Sequence, residues 1–256
     1  KRHYRYPVIH WPTFEAEKVS LALLLVASLT GAAYSFDKGV GAADAFEGRQ
    51  FYKIADDYVF RMLENMMDGP MTGYSLTDSI ELCQAALLMY GLDTLPTGDI
   101  ALQQTAVTMR LPMLVSALRR SDLVSVRHGL NEDWQTFIRR EQVVRIVAWT
   151  FCADCLATLT CNKPPSFSIF EMSGDLPCDP RVWETDPDSI LELGRKSEQD
   201  SSCSLKDLMS HWLNDDWHTP IDRIKFPVFY LHIMLCGMSL VHVKFIFPSG
   251  DLNNSY

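Results

Sequence analysis

The chain has 256 residues, of which 47% are hydrophobic and 21% charged, with a formal net charge of −9. That balance suits a soluble globular protein with a sizeable core, in one large domain or two small ones. An acidic surface repels phosphate backbones and argues against a direct grip on nucleic acid, and seven cysteines without regular spacing argue for a reducing compartment, not a disulfide framework.

The sequence begins at Lys1, not at Met, with no signal peptide or cleavage site, so it is expected to be one part of a longer protein. Its opening, YRYPVIHWPTF, carries Pro7 and Pro12 and no helical period, which predicts an extended arm over 1–14. A nearly all-apolar helix is predicted over 15–36, ended by Gly39 and Gly41. Its 19–36 stretch is too short, and too diluted by Ser, Thr and Gly, to span a membrane. The next helix, over 42–67, has Phe46, Ile54, Tyr58, Met62 and Leu63 at helical spacing, with Asp57 and Arg61 as an i,i+4 pair on its wet side. After the break GPMTGYS, a helix over 75–91 is predicted with Thr77 at its cap, Ile80, Cys83, Leu87 and Leu88 inward, and Gly91 as its stop. The helix over 97–123 is interrupted at Pro112, which removes a ladder donor, and ends on Arg119 and Arg120, where the helix dipole favours positive charge.

The longest helix is predicted over 131–160. Between Val143 and Leu159 its only polar side chains are Arg145, Thr150, Asp154 and Thr158, the pattern of a central core helix. Recurrent prolines predict a long loop over 162–187, followed by short helices over 189–193 and 204–214. A last apolar helix is predicted from near Pro220 to Phe247. Its 226–247 stretch has the length of a membrane span but contains His232, His242 and Lys244 and lacks a basic flank, so a buried helix is favoured. Nothing alternates with period two and nothing repeats. The prediction is an all-α, irregular multi-helix fold around a long central apolar helix, without significant sheet, in a single domain covering 1–256.

The stretch FCADCLATLTC tests for a metal or redox site. Along a helix Cys152 and Cys155 lie about 60° apart, while Cys161 lies about 180° round and about 13 Å along from Cys152. Three thiolates so placed cannot meet one zinc in an unbroken helix. Cys178 and Cys203 are isolated, and no nearby basic residue lowers a thiol pKa, so these read as buried helix cysteines. In FIRREQVVR, Glu141 offsets Arg145 at i,i+4, and Arg145 is placed to stack on Trp149, which reads as ion pairs locking a helix and not as a DNA-contacting face. Asp154, alone among apolar residues, needs a partner if buried. An arginine or the backbone donors of the following CNKPP turn would serve, making it a structural anchor and not a catalytic acid.

HWLNDDWH sets His211, Asp215 and His218 at ligand-like spacing, but Trp212, Leu213 and Trp217 point to amphipathic packing and Pro220 ends the helix nearby. The acidic pairs in ADDYVF and NDDW resemble the magnesium-binding aspartates of all-α isoprenoid enzymes, without the third acid or the companion motif. No phosphate loop, nucleophile elbow or zinc-protease motif is present. No catalytic, ligand-binding or metal-ligating residue is assigned. An all-α metal-dependent isoprenoid-type enzyme using Asp215 and Asp216, and a helical module dimerising through 226–247, stand as alternatives.

Two segments carry a family resemblance. YPVIHWPTF resembles the arm of the fungal-specific transcription factor domain, the helical middle homology region of fungal zinc-cluster regulators, through Pro7, His10, Pro12, Thr13 and Phe14. RREQVVRIVAWTFCADCLATLTCNKPPSF is similar to the family's central signature through Arg139, Arg140, Arg145, Trp149, Asp154, Pro164 and Pro165. Lys163 stands for the family's arginine, and Asn162 for its glycine, a replacement Asn permits because it tolerates left-handed backbone angles. LPCDPRVWE resembles a family loop ending in a Trp-Glu pair, here Trp183 and Glu184.

The resemblance implies a regulatory, effector-sensing domain of a nuclear transcription factor, neither catalytic nor membrane-bound, with no cofactor of its own. It places zinc, and contact with DNA, in a module elsewhere in the full-length protein. The implied partners are a small-molecule effector, a second copy and transcriptional co-regulators. The motif residues are implied to be scaffold, the arm packing on the bundle and the Arg, Asp and Pro-Pro elements pinning the central helix.

Overall fold

Apolar stripes at helical spacing fold this chain into an irregular bundle, and the computed structural model describes residues 7–34, 49–69, 74–95, 99–129, 132–185, 204–213, 233 and 235–238. Among these are eight α-helices: α1 (Leu21–Tyr34), α2 (Tyr52–Asp68), α3 (Leu76–Asp93), α4 (Ile100–Thr105), α5 (Leu111–Arg120), α6 (Trp134–Cys161), α7 (Pro180–Trp183) and α8 (Leu205–Leu213). A π-helical stretch, Ala106–Arg110, joins α4 to α5, and 3-10 turns form at Trp11–Thr13 and Ile169–Glu171. The described residues contain no strand, only an isolated bridge between Asp175 and Ser204. The architecture is the all-α one expected.

Local hydrogen bonds set boundaries that apolar spacing alone misplaces. α1 starts at Leu21 and not at Glu15, because Ser20 accepts from Leu23 N at 3.4 Å while its own N–H donates to Glu81 Oε2 of α3 at 2.6 Å. α2 buries Tyr52, Ala55, Val59, Phe60, Leu63 and Met66, whereas Ile54 is 66% exposed and Tyr58 and Met62 are only half-buried. Two overlapping apolar stripes run along this helix, and the one carrying Phe60 and Leu63 packs inward. Asp57 pairs with Arg110 at 3.4 Å, not with Arg61. In α3 the cap is Ser75, not Thr77. Its hydroxyl accepts from Asp78 N at 3.1 Å and Asp78 Oδ2 accepts from Ser75 N at 3.0 Å, a reciprocal capping box. Gly91 does not stop α3, which continues to Asp93 because the helix is enclosed on all sides there and tertiary packing outweighs glycine's weak propensity. Phe46, the glycine stop after α1, the helix expected over 189–193 and most of the last helix lie outside the described residues.

Pro112 acts upstream of itself. It has no N–H to give, and its ring would crowd the carbonyl one turn before it. The chain responds by widening Ala106–Arg110 into a π-helix, in which Leu111 N reaches Ala106 O, so Pro112 falls in the first turn of α5 where a missing donor costs little. The interruption is therefore a widened turn and not a kink at the proline. At the other end of α5, Arg119 Nε donates to Glu171 at 2.6 Å and Arg120 Nη2 to the Gly69 carbonyl at 3.1 Å, tying the helix to its surroundings.

α6 runs from a cap at Asp133, which accepts from Thr136 N at 3.0 Å, to Asn162. An 18-residue stretch of it, with a mean hydropathy of 1.5, makes the helix long and apolar enough to cross a membrane, but 78% of that stretch is buried inside the protein, as befits a core helix. α3 shares the centre with it, packing against α1, α2, α5, the π stretch and α6. Phe60, Leu63, Leu87, Leu114, Ile146 and Phe151 are fully enclosed where these helices meet. Leu87→Ala is expected to lower stability in urea unfolding by about 2–5 kcal/mol, whereas Leu159→Ala should change it by less than about 0.5 kcal/mol, because Leu87 is 0% and Leu159 52% exposed.

Candidate functional site

The three family-like segments, far apart in sequence, meet along the N-terminal half of α6. The arm contributes His10, which is 1% exposed. Its Nδ1 lies 2.8 Å from Thr13 Oγ1, and its ring meets Trp183 edge-on at 4.8 Å and Trp134 at 6.0 Å. Gln84 of α3 donates to the Val8 carbonyl at 2.7 Å and Phe14 packs on the core, so the arm is held by backbone as well as by rings. Pro7 is half-buried, and Pro12, which opens the Trp11–Thr13 turn, is exposed.

Arg145 lies over the other partner of His10, its guanidinium 4.4 Å from the Trp183 ring centre. The stacking expected on Trp149 does not form. Helical side chains tilt toward the N-terminus, which carries Arg145 toward Glu141 and away from Trp149; Trp149 is half-buried against the core. Arg145 Nε donates to Glu141 Oε1 at 2.6 Å and Nη2 to the Cys178 carbonyl at 2.9 Å. Glu141, 0% exposed, also accepts from Cys178 N at 2.9 Å and lies 3.0 Å from His128 Nε2.

Around that carboxylate, His128 N donates to Asp175 at 2.7 Å and Arg140 Nη1 donates to the Arg127 carbonyl at 2.8 Å. A Cβ on Gly174 would sit 2.7 Å from the Val126 carbonyl oxygen, so only glycine allows these two loops to approach. Arg139 points outward and is exposed.

Burial pushes the Glu141 pKa up, but Arg145, His128 and the Cys178 side chain outweigh it and hold the carboxyl below its ordinary range. For His128, burial works against the charge, and the bond to and charge of Glu141, with Asp175 and Glu132, prevail and raise its pKa.

A second buried carboxylate closes the other end of α6. Asp154, 0% exposed, accepts from Lys163 Nζ at 2.9 Å and from Phe167 N at 2.8 Å. Asn162 adopts φ 49° and ψ 42°, the left-handed turn that brings Lys163 back over the helix. Pro164 is exposed and Pro165 half-buried in the segment between, and Arg119 Nη2 adds a bond to the Ser166 carbonyl at 2.6 Å. The partners of Asp154 are thus a lysine and a backbone amide just beyond the Pro-Pro turn.

The cysteines do not fit a zinc cluster. Cys152 and Cys155 are buried beside Cys236, whereas Cys161 is exposed. A hydrogen bond with Cys236, then burial, pushes the Cys152 thiol well up, and burial, then Cys236, does the same to Cys155, so neither is poised as a thiolate. Among the described residues no group of three His, Cys, Asp or Glu is placed to hold a metal ion. His211 lies in α8, while Asp215 and His218 lie outside the described residues. In the ADDYVF pair, the Arg110 guanidinium occupies the position a magnesium ion would need, bonded to Asp56 and Asp57.

An arm, an Arg/Trp/Asp helix and a Trp-bearing loop are clasped around buried charge in an all-α domain, with no metal-binding group among the described residues. The chain belongs to the fungal specific transcription factor domain family, whose model matches residues 1–249. It is 24% identical over 196 residues to the zinc finger protein zas1 of Schizosaccharomyces pombe, covering 72% of this chain and 20% of that protein. It is 24% identical over 184 residues to the transcription factor verF of Penicillium polonicum, covering 66% of this chain and 24% of that protein. A nicotinate catabolism cluster-specific transcription factor of Emericella nidulans is 22% identical over 219 residues, covering 81% of this chain and 23% of that protein. The matched region is thus a quarter or less of each relative's length. No solved structure gives a significant match. These matches make the chain a regulatory domain of a fungal transcription factor and give no support to the isoprenoid-type enzyme or the stand-alone dimerisation module.

The raised His128 pKa has a defined sign in stability. Its contribution is fully present below its unfolded value of 6.5 and is lost as pH rises through the higher folded value. Glu141→Gln is expected to cost about 3–5 kcal/mol, since it leaves Arg145 buried without its charge partner. It should also make the decline across the His128 titration shallower, as should His128→Gln; urea unfolding of the three proteins from mildly acidic to mildly alkaline pH checks both.

Proposed function

We propose that this chain is a single, non-catalytic regulatory domain of a nuclear transcription factor whose zinc-dependent DNA-binding module lies outside it. The observation that carries the reading is the family match over 1–249, joined to relatives that are several times longer and include a zinc finger protein. The net charge of −9 supports it, because a domain that repels phosphate needs another segment to reach DNA. Pro7, His10, Pro12, Phe14, Arg139, Arg140, Arg145, Trp149, Asp154, Pro164 and Pro165 serve as scaffold in this reading and not as ligand-binding or catalytic residues. The domain's work is to hold the DNA-binding and activating parts in a state that a small effector, a second copy or a co-regulator shifts by binding one conformation better than another.

In electrophoretic mobility shifts at physiological salt, the isolated chain should leave duplex DNA unretarded. The full-length protein should retain DNA and release it when a chelator removes zinc. Sequence-specific retention by the isolated chain would overturn the division of labour.

A further inference from the structure

Of two buried aspartates on neighbouring helices, Asp56 is bonded to an arginine and Asp93 is not. Asp56 of α2 is 2% exposed and Asp93, the last residue of α3, is 1% exposed. Arg110, the last residue of the π stretch, donates from Nε to Asp56 Oδ2 at 3.1 Å and from Nη2 to the same oxygen, with a longer contact to Asp57 Oδ1 at 3.4 Å. Its guanidinium rests 4.8 Å above the Phe60 ring, which fixes its position. This leaves Asp56 Oδ1 and both oxygens of Asp93 enclosed without a donor from any other group. Enclosed acceptors without donors are costly, and two ionised carboxylates facing one guanidinium leave a buried negative charge unbalanced. Asp56 lies close enough for its charge to act on Asp93 across the packed contact between α2 and α3. A single proton resolves the charge and the hydrogen bonding together, because a protonated carboxyl is a donor.

We propose that Asp93 is protonated at neutral pH and donates its O–H to the Asp56 carboxylate, making the junction of α2, α3 and the π stretch a proton-held joint that opens on alkalinisation. With the proton in place, Asp56 and Arg110 cancel and Asp93 is neutral. When the proton leaves to solvent base, two carboxylates face each other in an enclosed site and the contact between α2 and α3 turns repulsive. The charged groups facing the pair are Asp57 on α2, Arg110 on the π stretch and Asp99 at the start of α4; Arg110 opposes protonation of Asp93, and Asp56 and Asp99 favour it. α1 carries no charged residue. Arg119 and Arg120 of α5, and Glu141, Arg145 and Asp154 of α6, are engaged in the contacts described above. Burial, then the charge of Asp56, pushes the Asp93 carboxyl up to about 9. Because this value is raised above the unfolded 3.8, stability from the bound proton is full below 3.8 and is lost as pH rises through about 9.

The test is infrared spectroscopy combined with unfolding measurements on the wild-type protein and Asp93→Asn, which keeps a donor but cannot ionise. At neutral pH the wild type should show the carbonyl band of a buried protonated carboxyl, absent from Asp93→Asn and lost from the wild type at alkaline pH. Relative to the variant, the wild-type unfolding constant should rise by up to about tenfold per pH unit through this window; taking the difference removes the parallel contribution of His128. A neutral-pH spectrum without that band, or one in which the band persists in Asp93→Asn, would overturn the proposal, and so would parallel stability curves. If Asp93→Asn does not fold, the wild-type band alone decides, by its presence at neutral pH and its disappearance on alkalinisation.

Discussion

A carboxylate taken out of water keeps its charge only where donors replace the solvent, and Glu141 meets that condition by drawing distant parts of the chain around itself. One oxygen takes Arg145 from its own helix and the Cys178 amide from the loop that precedes α7; the other faces His128 from the segment after α5. Arg145 in turn lies over Trp183, and Trp183 meets His10 in the arm. Removal of one member of such a set leaves a buried charge or acceptor exposed to nothing, so its members depend on one another more than apolar contacts would. The arm, the central helix and the loop from Asp175 to Trp183 are thus positioned by one enclosed negative charge.

Three buried acids in the same fold show that donor supply, not depth, decides what a carboxyl does. Glu141 and Asp154 are both fully enclosed, and each receives strong donors, including a cationic side chain and a backbone amide. They stand near opposite ends of α6 and fasten it to different loops. Asp93 is as deeply placed, but its neighbour is another aspartate whose arginine is already engaged. The first two arrangements fix geometry, whereas the third stores a proton. The π stretch that delivers Arg110 to Asp56 follows from Pro112, so a local backbone constraint contributes directly to an electrostatic site.

Much of this was legible in the residues. Helix type and order follow from apolar spacing, and Asp154 announced itself as a lone acid in an apolar run that needed donors. Glu141 and Arg145 were visible as an i,i+4 pair, although nothing in spacing said that the pair is buried or that His128 and Cys178 complete it. Those partners come from loops whose paths are set by tertiary packing, and so does the choice of Trp183 over Trp149 beneath Arg145. The misplaced cap at Thr77 and the early helix start at Glu15 have a different origin. Several Ser, Thr and acidic residues sit near each helix start, and only the reciprocal bonds of Ser75 with Asp78, and of Ser20 with Leu23 and Glu81, select among them. The inward face of α2 was ambiguous because two apolar stripes overlap, and neighbouring α3 resolves it.

That Glu141 couples otherwise separate elements is open to a direct thermodynamic measurement. His128 and Arg145 meet through its carboxylate, each on a different oxygen. A double-mutant cycle of His128→Gln and Arg145→Met, read by urea unfolding, should therefore be non-additive, with a coupling of about 0.5–3 kcal/mol. Additivity within about 0.3–0.5 kcal/mol would contradict the view that one buried carboxylate organises this domain.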